Sequence, residues 1–455
     1  MMKTSAALIA TGLVCWLGAG AHVASAQEIK LPEGLMGLGT EDKEAEVRKE
    51  KEKRGLPFDL TGFLEGRVGI RTQSDDHEKS ASIGETRLQV NIEKPVDIFT
   101  FNLTTDFLLD PVADDYGVDL ESGKGLIDLR EASVTFSPLD FMDVRAGRQI
   151  LTWGTGDMIF INDLFPKDWN SFFIGRDDEY LKAPSDALKT AFFFGSFNLD
   201  VIYTPRFDHD RYIDGHRISF FDRGMNDLRG RENIVSADLP DDWFSDDELA
   251  MRLYRSFGAF ETALYYYNGY WKSPGGQNML TGNVIFPKLQ VFGASVRGPV
   301  ARGIANVEAG YYKSAAGSGS NPLVRNSEFR FLAGYEQEIA TELTAAVQYY
   351  LERKLDYDSY FASLPPGAII DDENRHLITL RLTKLLKQQT MTVSLFNFWS
   401  PSDKDGYLRF NVSYKITDNM EVEGGGNLFY GAENYTFFGQ FQDNSNIYAG
   451  LRYNF

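Results

Sequence analysis

The sequence predicts an all-β fold, a transmembrane antiparallel up-and-down β-barrel of about 18 strands preceded by a short N-terminal helix. Three observations lead to this prediction. Apolar and polar residues alternate through most of the chain, as in strands with one lipid-facing and one water-facing side. Short and long connections alternate between the predicted strands. After residue 26 no apolar run approaches the ~20 residues of a membrane-spanning helix, so a membrane-spanning form would be a barrel.

Residues 1–26 have the layout of a secretory signal peptide. Lys3 precedes an apolar run over residues 6–21, and an Ala-Ser-Ala segment at 24–26 offers a small-residue cleavage site. We therefore expect an exported protein whose mature chain begins at Gln27.

The composition excludes several classes of function. The only cysteine, Cys15, lies within the signal peptide, so the mature chain is expected to hold no disulfide and no Cys-based metal or redox site. The formal charge is −19, and it becomes −20 once Lys3 is removed with the signal peptide, which argues against a nucleic-acid partner. No cofactor is expected.

Residues 27–56 form a separate charged segment in front of the predicted barrel, which spans 57–455. Thr40 is a suitable N-cap for a helix over 41–54, and Gly55 a suitable stop. This helix has no apolar stripe to pack against a core. Two interpretations stay open, a solvated periplasmic segment and a plug inside the barrel.

From Phe58 onward, apolar residues recur at every second position, as in β-strands. The last strand alternates up to Phe455 and resembles the C-terminal strand by which the barrel-assembly machinery recognises outer-membrane barrels. An even number of strands is expected for a bacterial barrel with both ends in the periplasm. The predicted strands are 58–70, 83–93, 99–109, 127–137, 141–152, 187–195, 197–205, 248–257, 259–271, 288–298, 304–313, 327–337, 341–352, 373–383, 389–398, 406–416, 419–430 and 446–455.

The connections indicate which end of the barrel faces outward, because outer-membrane barrels have short periplasmic turns and long external loops. The predicted short turns are 94–95, 137–140, 195–196, 257–258, 298–302, 338–340, 384–388 and 417–418. The predicted external loops, which are generally longer, include 110–126, 153–186, 206–247, 272–287, 314–326, 353–372, 399–405 and 431–445. Trp153, Trp271 and Trp399 fall at the outer strand ends, which predicts an aromatic girdle at the membrane interface.

The inward face of the predicted strands carries charges of both signs. Mixed charges favour either a transverse field across a constriction or cross-strand pairs that only stabilise the wall. Both interpretations stay open. The pore-lining candidates are Glu65, Arg67, Glu85, Arg87, Asp106, Glu308, Arg330, Arg381, Arg409, Glu423 and Arg452.

The least generic stretch is GRQILTWGTGD at 147–157, followed by NDLFPKD at 162–168. This pattern resembles the strand-to-loop motif of porin-like proteobacterial outer-membrane barrels of uncharacterised function, which are similar to the 18-stranded alginate-export barrels. The resemblance implies a conduit for a solute or polymer, with this loop folding inward as a constriction. The constriction candidates are Arg148, Trp153, Asp157, Asp163 and Asp168, which could instead only pin the loop to the barrel rim. No row of arginines on one face supports an alginate path, and neither does the negative net charge.

Loop 206–247 is long for a hairpin connection, so we interpret it as a lid, plug or surface cap. Asp208, His209, Asp210, Asp214 and His216 have a spacing that could hold a cation, but hydrophilic loops collect such residues anyway, and no metal site is expected.

No histidine of the mature chain stands at recognisable spacing from a nucleophilic serine and an acid, so an enzyme is not expected. The function predicted from the sequence is a porin-like channel in the outer membrane of a Gram-negative cell. It would pass small polar solutes or an exported polymer passively through a mixed-charge lumen. The alternatives are a barrel that serves as scaffold or sleeve for an electron-transfer or secretion complex, and, less favoured, an outer-membrane enzyme. The expected partners are membrane lipid, lipopolysaccharide and the assembly machinery, and the pattern does not predict an oligomeric state.

Overall fold

The computed structural model describes residues 57–315 and 317–455. The signal peptide, the cleavage site and the charged segment 27–56 predicted above lie outside the described residues. None of the described helices is long and apolar enough to cross a membrane.

The described chain forms a closed barrel of 18 strands in which each strand pairs antiparallel with its neighbours in sequence. The last strand returns to the first and closes the barrel, in register from Phe63 opposite Asn454 to Arg71 opposite Asn446. The strands are β1 (Asp59–Arg71), β2 (Ala81–Val96), β3 (Phe99–Leu109), β4 (Ile127–Leu139), β5 (Met142–Ile150), β6 (Pro184–Phe193), β7 (Asn198–Thr204), β8 (Glu248–Phe257), β9 (Phe260–Tyr270), β10 (Lys288–Val300), β11 (Gly303–Ser314), β12 (Glu328–Ala340), β13 (Leu343–Lys354), β14 (Asn374–Leu386), β15 (Met391–Ser400), β16 (Asp405–Lys415), β17 (Met420–Gly431) and β18 (Asn446–Asn454).

These strands confirm the predicted barrel, its strand count and the position of each strand to within a few residues. The turn predicted at 94–95 is wrong by a few residues, because β2 continues through Pro95 and the chain reverses at Asp97, whose φ of 53° is the left-handed conformation of a tight turn. Every other even-numbered connection is also short, as predicted. The odd-numbered connections are longer, apart from residues 401–404 between β15 and β16.

Within residues 57–315 and 317–455, the external loops carry the remaining secondary structure. Two helices, α1 (Trp169–Ile174) and α2 (Tyr357–Ser363), lie there with two 3-10 helices, Asp178–Leu181 and Gly439–Asn444. Short strands pair within these loops: Val118–Asp119 with Lys124–Gly125, Phe220–Asp222 with Asp227–Arg229, and Val284–Ile285 with both Ala237–Asp238 and Gly276–Gln277.

The apolar side of each strand faces outward, toward the position of the lipid. In β18, Ile447, Leu451 and Tyr453 are exposed, whereas the alternate residues Asn446 and Tyr448 are buried inside the barrel. This is the alternation expected of a membrane barrel, whose outer surface stays apolar because lipid covers it.

The tryptophan girdle is confirmed at one position and wrong at two. Trp399 is 45% exposed on the outer face of β15. Trp271 is only 4% exposed; its ring stacks on Tyr312 at 5.5 Å. Trp153 packs inside against Phe165, with ring centroids 5.0 Å apart. The physical reason differs between the two. Trp271 continues the inward-facing alternation of Ala263, Tyr265 and Tyr267 on β9. Trp153 follows the end of β5 at Ile150, where the connection to β6 enters the barrel.

Candidate functional site: a loop folded into the barrel

Residues 151–183, which connect β5 to β6, fold into the barrel; we call them the inner loop. At its centre lies α1. Asp168 caps the start of α1 by accepting a hydrogen bond from the Ser171 amide at 2.8 Å, and Gly175 ends the helix with a φ of 86°.

The helix α1 presents a buried apolar face to the barrel wall. Phe172 packs edge-on against Tyr407 of β16 at 5.5 Å, and Phe173 packs against Phe429 of β17 at 5.3 Å. An apolar core therefore lies inside the barrel, where a wide aqueous pore would have none.

The first half of the inner loop is fixed to β11 through one buried carboxylate. Glu308 is 1% exposed. One of its oxygens accepts hydrogen bonds from the amide and hydroxyl of Thr155, at 2.8 and 3.0 Å. The other accepts from the amide and side chain of Asn162, also at 2.8 and 3.0 Å. Glu308 thus holds together two points of the loop that are seven residues apart in the sequence.

Asp157 fixes the loop to the next part of the wall. Its backbone exchanges two hydrogen bonds with the Gln348 side chain on β13, at 2.8 and 2.9 Å. Its carboxylate pairs with Arg381 of β14 at 2.8 Å, and Arg381 also pairs with Glu336 of β12. Burial raises the pKa of Asp157, and the Arg381 charge opposes that rise.

The second half of the loop is fixed to the opposite wall, mainly by arginines. Arg67 of β1 donates to the Gly175 carbonyl at 2.5 Å, and Arg409 of β16 donates to the Arg176 carbonyl at 3.0 Å. Arg176 itself donates to Glu85 of β2 at 3.0 Å. The loop therefore spans the barrel from β11–β14 to β16–β2.

The structure places most pore-lining candidates in this contact layer. Glu65, Arg67, Glu85, Arg87, Asp106, Glu308 and Arg409 are all buried, whereas Arg330, Arg381, Glu423 and Arg452 keep partial exposure. Arg87 pairs with both Glu85 and Asp106, and Arg452 pairs with Glu65 at 2.9 Å. At this level of the barrel the charges bind one another and the inner loop.

The constriction candidates separate into two groups. Asp157 and Trp153 contact the wall inside the barrel. Arg148 instead pairs with Asp186 at 3.0 Å and reaches the Leu120 carbonyl in an external loop. Asp163 accepts from Lys167 at 3.0 Å within the loop itself.

Several residues of the site escaped prediction from the sequence. Arg176, Tyr180 and Gln348 form loop-to-wall contacts, with Arg87 stacked over the Tyr180 ring at 3.9 Å. The sequence did contain one indication: the apolar run Phe-Phe-Ile at residues 172–174 is unlike a solvated external loop.

Residues 205–247, which connect β7 to β8, lie over the inner loop; we call them the cap loop. The Arg211 amide donates to the Lys167 carbonyl at 2.8 Å, and the Trp169 amide donates to the Arg211 carbonyl at 3.2 Å. At another point of the cap loop, the Asn444 side chain of the last external loop donates to the Ser219 hydroxyl at 2.8 Å. The cap loop therefore connects the inner loop to the barrel rim.

Asp210 and Asp214 of the cap loop are engaged in contacts with neighbouring loops. Asp210 accepts from the Lys167 amide at 2.7 Å and from the Trp169 indole at 3.1 Å. Asp214 pairs with Lys124 at 2.7 Å, which lowers its pKa against the effect of burial. Within residues 57–315 and 317–455, no group of three or more metal-type ligands is found.

Comparison with solved structures identifies the architecture. OccAB1 of Acinetobacter baumannii is similar with a TM-score of 0.52 and 11% identity, over 87% of this chain and 95% of that one. The fold is that of an outer-membrane porin. OccD3 (OpdP) of Pseudomonas aeruginosa is similar to this porin fold with a TM-score of 0.50 and 8% identity, over 88% of this chain and 92% of that one. At these identities the likeness concerns the fold alone. No protein-family model matches the sequence, and comparison with curated proteins gives no match.

Proposed function

We propose that this protein is an outer-membrane channel for small polar solutes whose passage is set by the inner loop. The observation that carries the proposal is the span of this loop, which is fixed to both sides of a closed 18-strand barrel. A barrel of this size is wide enough for an aqueous interior, so the element that narrows it decides what passes.

The charges beside the loop support selection by polarity. The Arg381 and Asp157 side chains pair across the junction of wall and loop, and both keep about a third of their surface exposed, at 34% and 29%. Opposite charges held at the edge of a narrow passage orient dipolar solutes. Most of the other interior charges are paired and buried, so they stabilise the wall and the loop.

The filled interior favours small solutes over an exported polymer. A polymer chain would require the inner loop to leave the barrel, and so to break its contacts with Glu308, Gln348 and Arg67 together. A small solute would require only a local opening of the loop or a path along its edge.

A liposome-swelling assay with the mature chain tests this proposal. We expect swelling in small neutral sugars, with a rate that falls steeply as the sugar becomes larger. A variant lacking residues 27–56 should swell faster if the charged segment is a plug, and at the same rate if it is periplasmic. Absence of swelling in the smallest sugar, with and without residues 27–56, would refute the channel and favour the sleeve for a partner.

A further inference from the structure

A cavity of about 190 Å³ opens at the outer mouth of the barrel. Three segments meet around it: the external loop 110–126, the junction of the inner loop with β6, and the cap loop. Its position above the inner loop places it where a solute from outside would first meet the protein. The lining includes Glu121, Pro184, Arg206, Phe207, Asp208 and Leu239.

The cations around this cavity already have partners. Arg206 pairs with Glu121 at 2.5 Å, and Arg211 pairs with Asp128 at 2.8 Å. Burial lowers the pKa of His209, which disfavours its cationic form. An anionic ligand would therefore have to compete with carboxylates that are fixed in the protein.

Unlike these cations, the Asp208 carboxylate has no partner of opposite charge in hydrogen-bond contact within the part of the chain that the structure describes. It is only 8% exposed, and one carboxylate oxygen accepts from the Asp186 amide at 3.1 Å. Among the described residues no donor reaches its other oxygen. The Lys272 ammonium lies nearby but donates to the Asp208 carbonyl and to Glu248 instead. Asp208 thus lines the cavity with a buried carboxylate, one oxygen of which can still accept a hydrogen bond from a cationic donor.

The rest of the cavity is largely apolar and sets the size of the ligand. Phe207 is buried beneath it, and Pro184, Leu239 and Pro240 form its sides. A protein cavity of about 150 Å³ holds a benzene molecule, so this one fits a ring with a short side chain.

We propose that this cavity binds a small molecule that carries one protonated amine on an apolar ring or short chain, with the amine paired to Asp208. This inference deepens the proposed function, on which it rests for the role of the cavity: it would be the outer binding site of the channel. The class of solute would then be a monocationic amphiphile.

The charged groups that face Asp208 predict how this binding depends on pH. Burial raises the pKa of Asp208 to about 7, with Glu248, Asp186 and Glu121 adding to the rise and Lys272 opposing it. The other charged residues that line the cavity are Arg206, Arg211, Glu121 and Asp241. Since an amine needs the ionised carboxylate, binding should be about tenfold tighter at pH 8 than at pH 6.

Isothermal titration of the detergent-solubilised mature chain tests the inference, with phenethylamine as the cationic probe and 3-phenylpropionate as its anionic counterpart. We expect saturable binding of phenethylamine and none of 3-phenylpropionate. Asp208→Asn should weaken phenethylamine binding at least about tenfold, since it removes the charge. The Asn side chain can still accept from the Asp186 amide, so the local fold is kept. Asp242→Asn, which removes the same charge from the exposed surface of the cap loop, should have no effect.

Two results would overturn the inference: equal binding of phenethylamine by the protein and its Asp208→Asn variant, or no saturable binding up to about 10 mM. Either result leaves the swelling assay intact as a test of the channel. Swelling without amine binding refutes the outer site alone, and amine binding without swelling refutes the channel alone.

Discussion

Replacing Glu308 by Gln should release the inner loop from β11. The carboxylate accepts four hydrogen bonds, two from each of Thr155 and Asn162. An amide keeps only one acceptor and turns an N–H group toward donors at the other position. One backbone amide is then left without a partner, at a cost of about 1–3 kcal/mol, and the remaining bonds lose charge assistance worth about 1 kcal/mol. The contact between the loop and β11 should therefore weaken by about 2–4 kcal/mol. The equilibrium constant for opening of the loop should rise by at least about 30-fold.

Hydrogen exchange measured by mass spectrometry can detect this release. Peptides that contain Thr155 and Asn162 should exchange at least about 30-fold faster in Glu308→Gln, while strand peptides keep their protection. The control is Glu131→Gln, which removes a carboxylate from the wall of β4 that pairs with Arg145 and leaves the inner loop untouched. Unchanged exchange in Glu308→Gln, or an equal increase in Glu131→Gln, would refute the reasoning.

Three further predictions concern other parts of the site. The pKa of Asp208 rises from 3.8 to about 7 on folding, so its contribution to stability is full below about pH 4 and lost as the pH rises through 7. Exchange of the cap loop, corrected for its intrinsic rate, should therefore increase over this window, and Asp208→Asn should abolish the increase. Arg381→Gln leaves Asp157 without its cationic partner and should shift the reversal potential in a salt gradient toward cations, whereas Arg381→Lys should not. Gly175→Ala should lower the free energy of unfolding by at least about 1 kcal/mol, because Gly175 has a positive φ and a Cβ there would overlap the Tyr448 ring. Urea titration measures this change, and an unchanged midpoint would contradict the prediction.

The barrel could be predicted from the sequence because its cause is local. Each strand has one face toward lipid and the other toward the barrel interior. Apolar and polar residues must therefore alternate with a period of two along every strand, as they do in Asn446–Asn454. Turn lengths add independent support, because residues 258–259 and 301–302 can only close hairpins.

The interior could be predicted only in part, because its partners are distant in sequence. The pattern showed that Glu308 and Arg67 face inward, but Glu308 meets Asn162 across 146 residues and Arg67 meets Gly175 across 108. Nothing local to either residue encodes that contact. The tryptophans show the same limit. Trp153 and Trp271 stand at strand ends in the sequence, where a girdle is common, but their rings pack on the interior residues Phe165 and Tyr312.

At the level of the inner loop, the interior charges are largely paired. Arg87 lies between Glu85 and Asp106, and Arg67 pairs with Glu65 and Glu423. Buried carboxylates and guanidiniums in such contact are costly to separate, so the network holds the inner loop in place. Their role as lining of a water-filled path stays a prediction only for the residues that keep exposure, such as Arg381.

Single-channel recording in planar bilayers tests the central claim most directly, that the inner loop sets passage through this barrel. The mature chain should give a small, steady conductance. Glu308→Gln should give a larger conductance with frequent transitions, because its loop leaves the wall more often, and Glu131→Gln should match the unaltered protein. Equal conductance in all three proteins would show that the loop does not control the path, and silence in all three would contradict the channel itself.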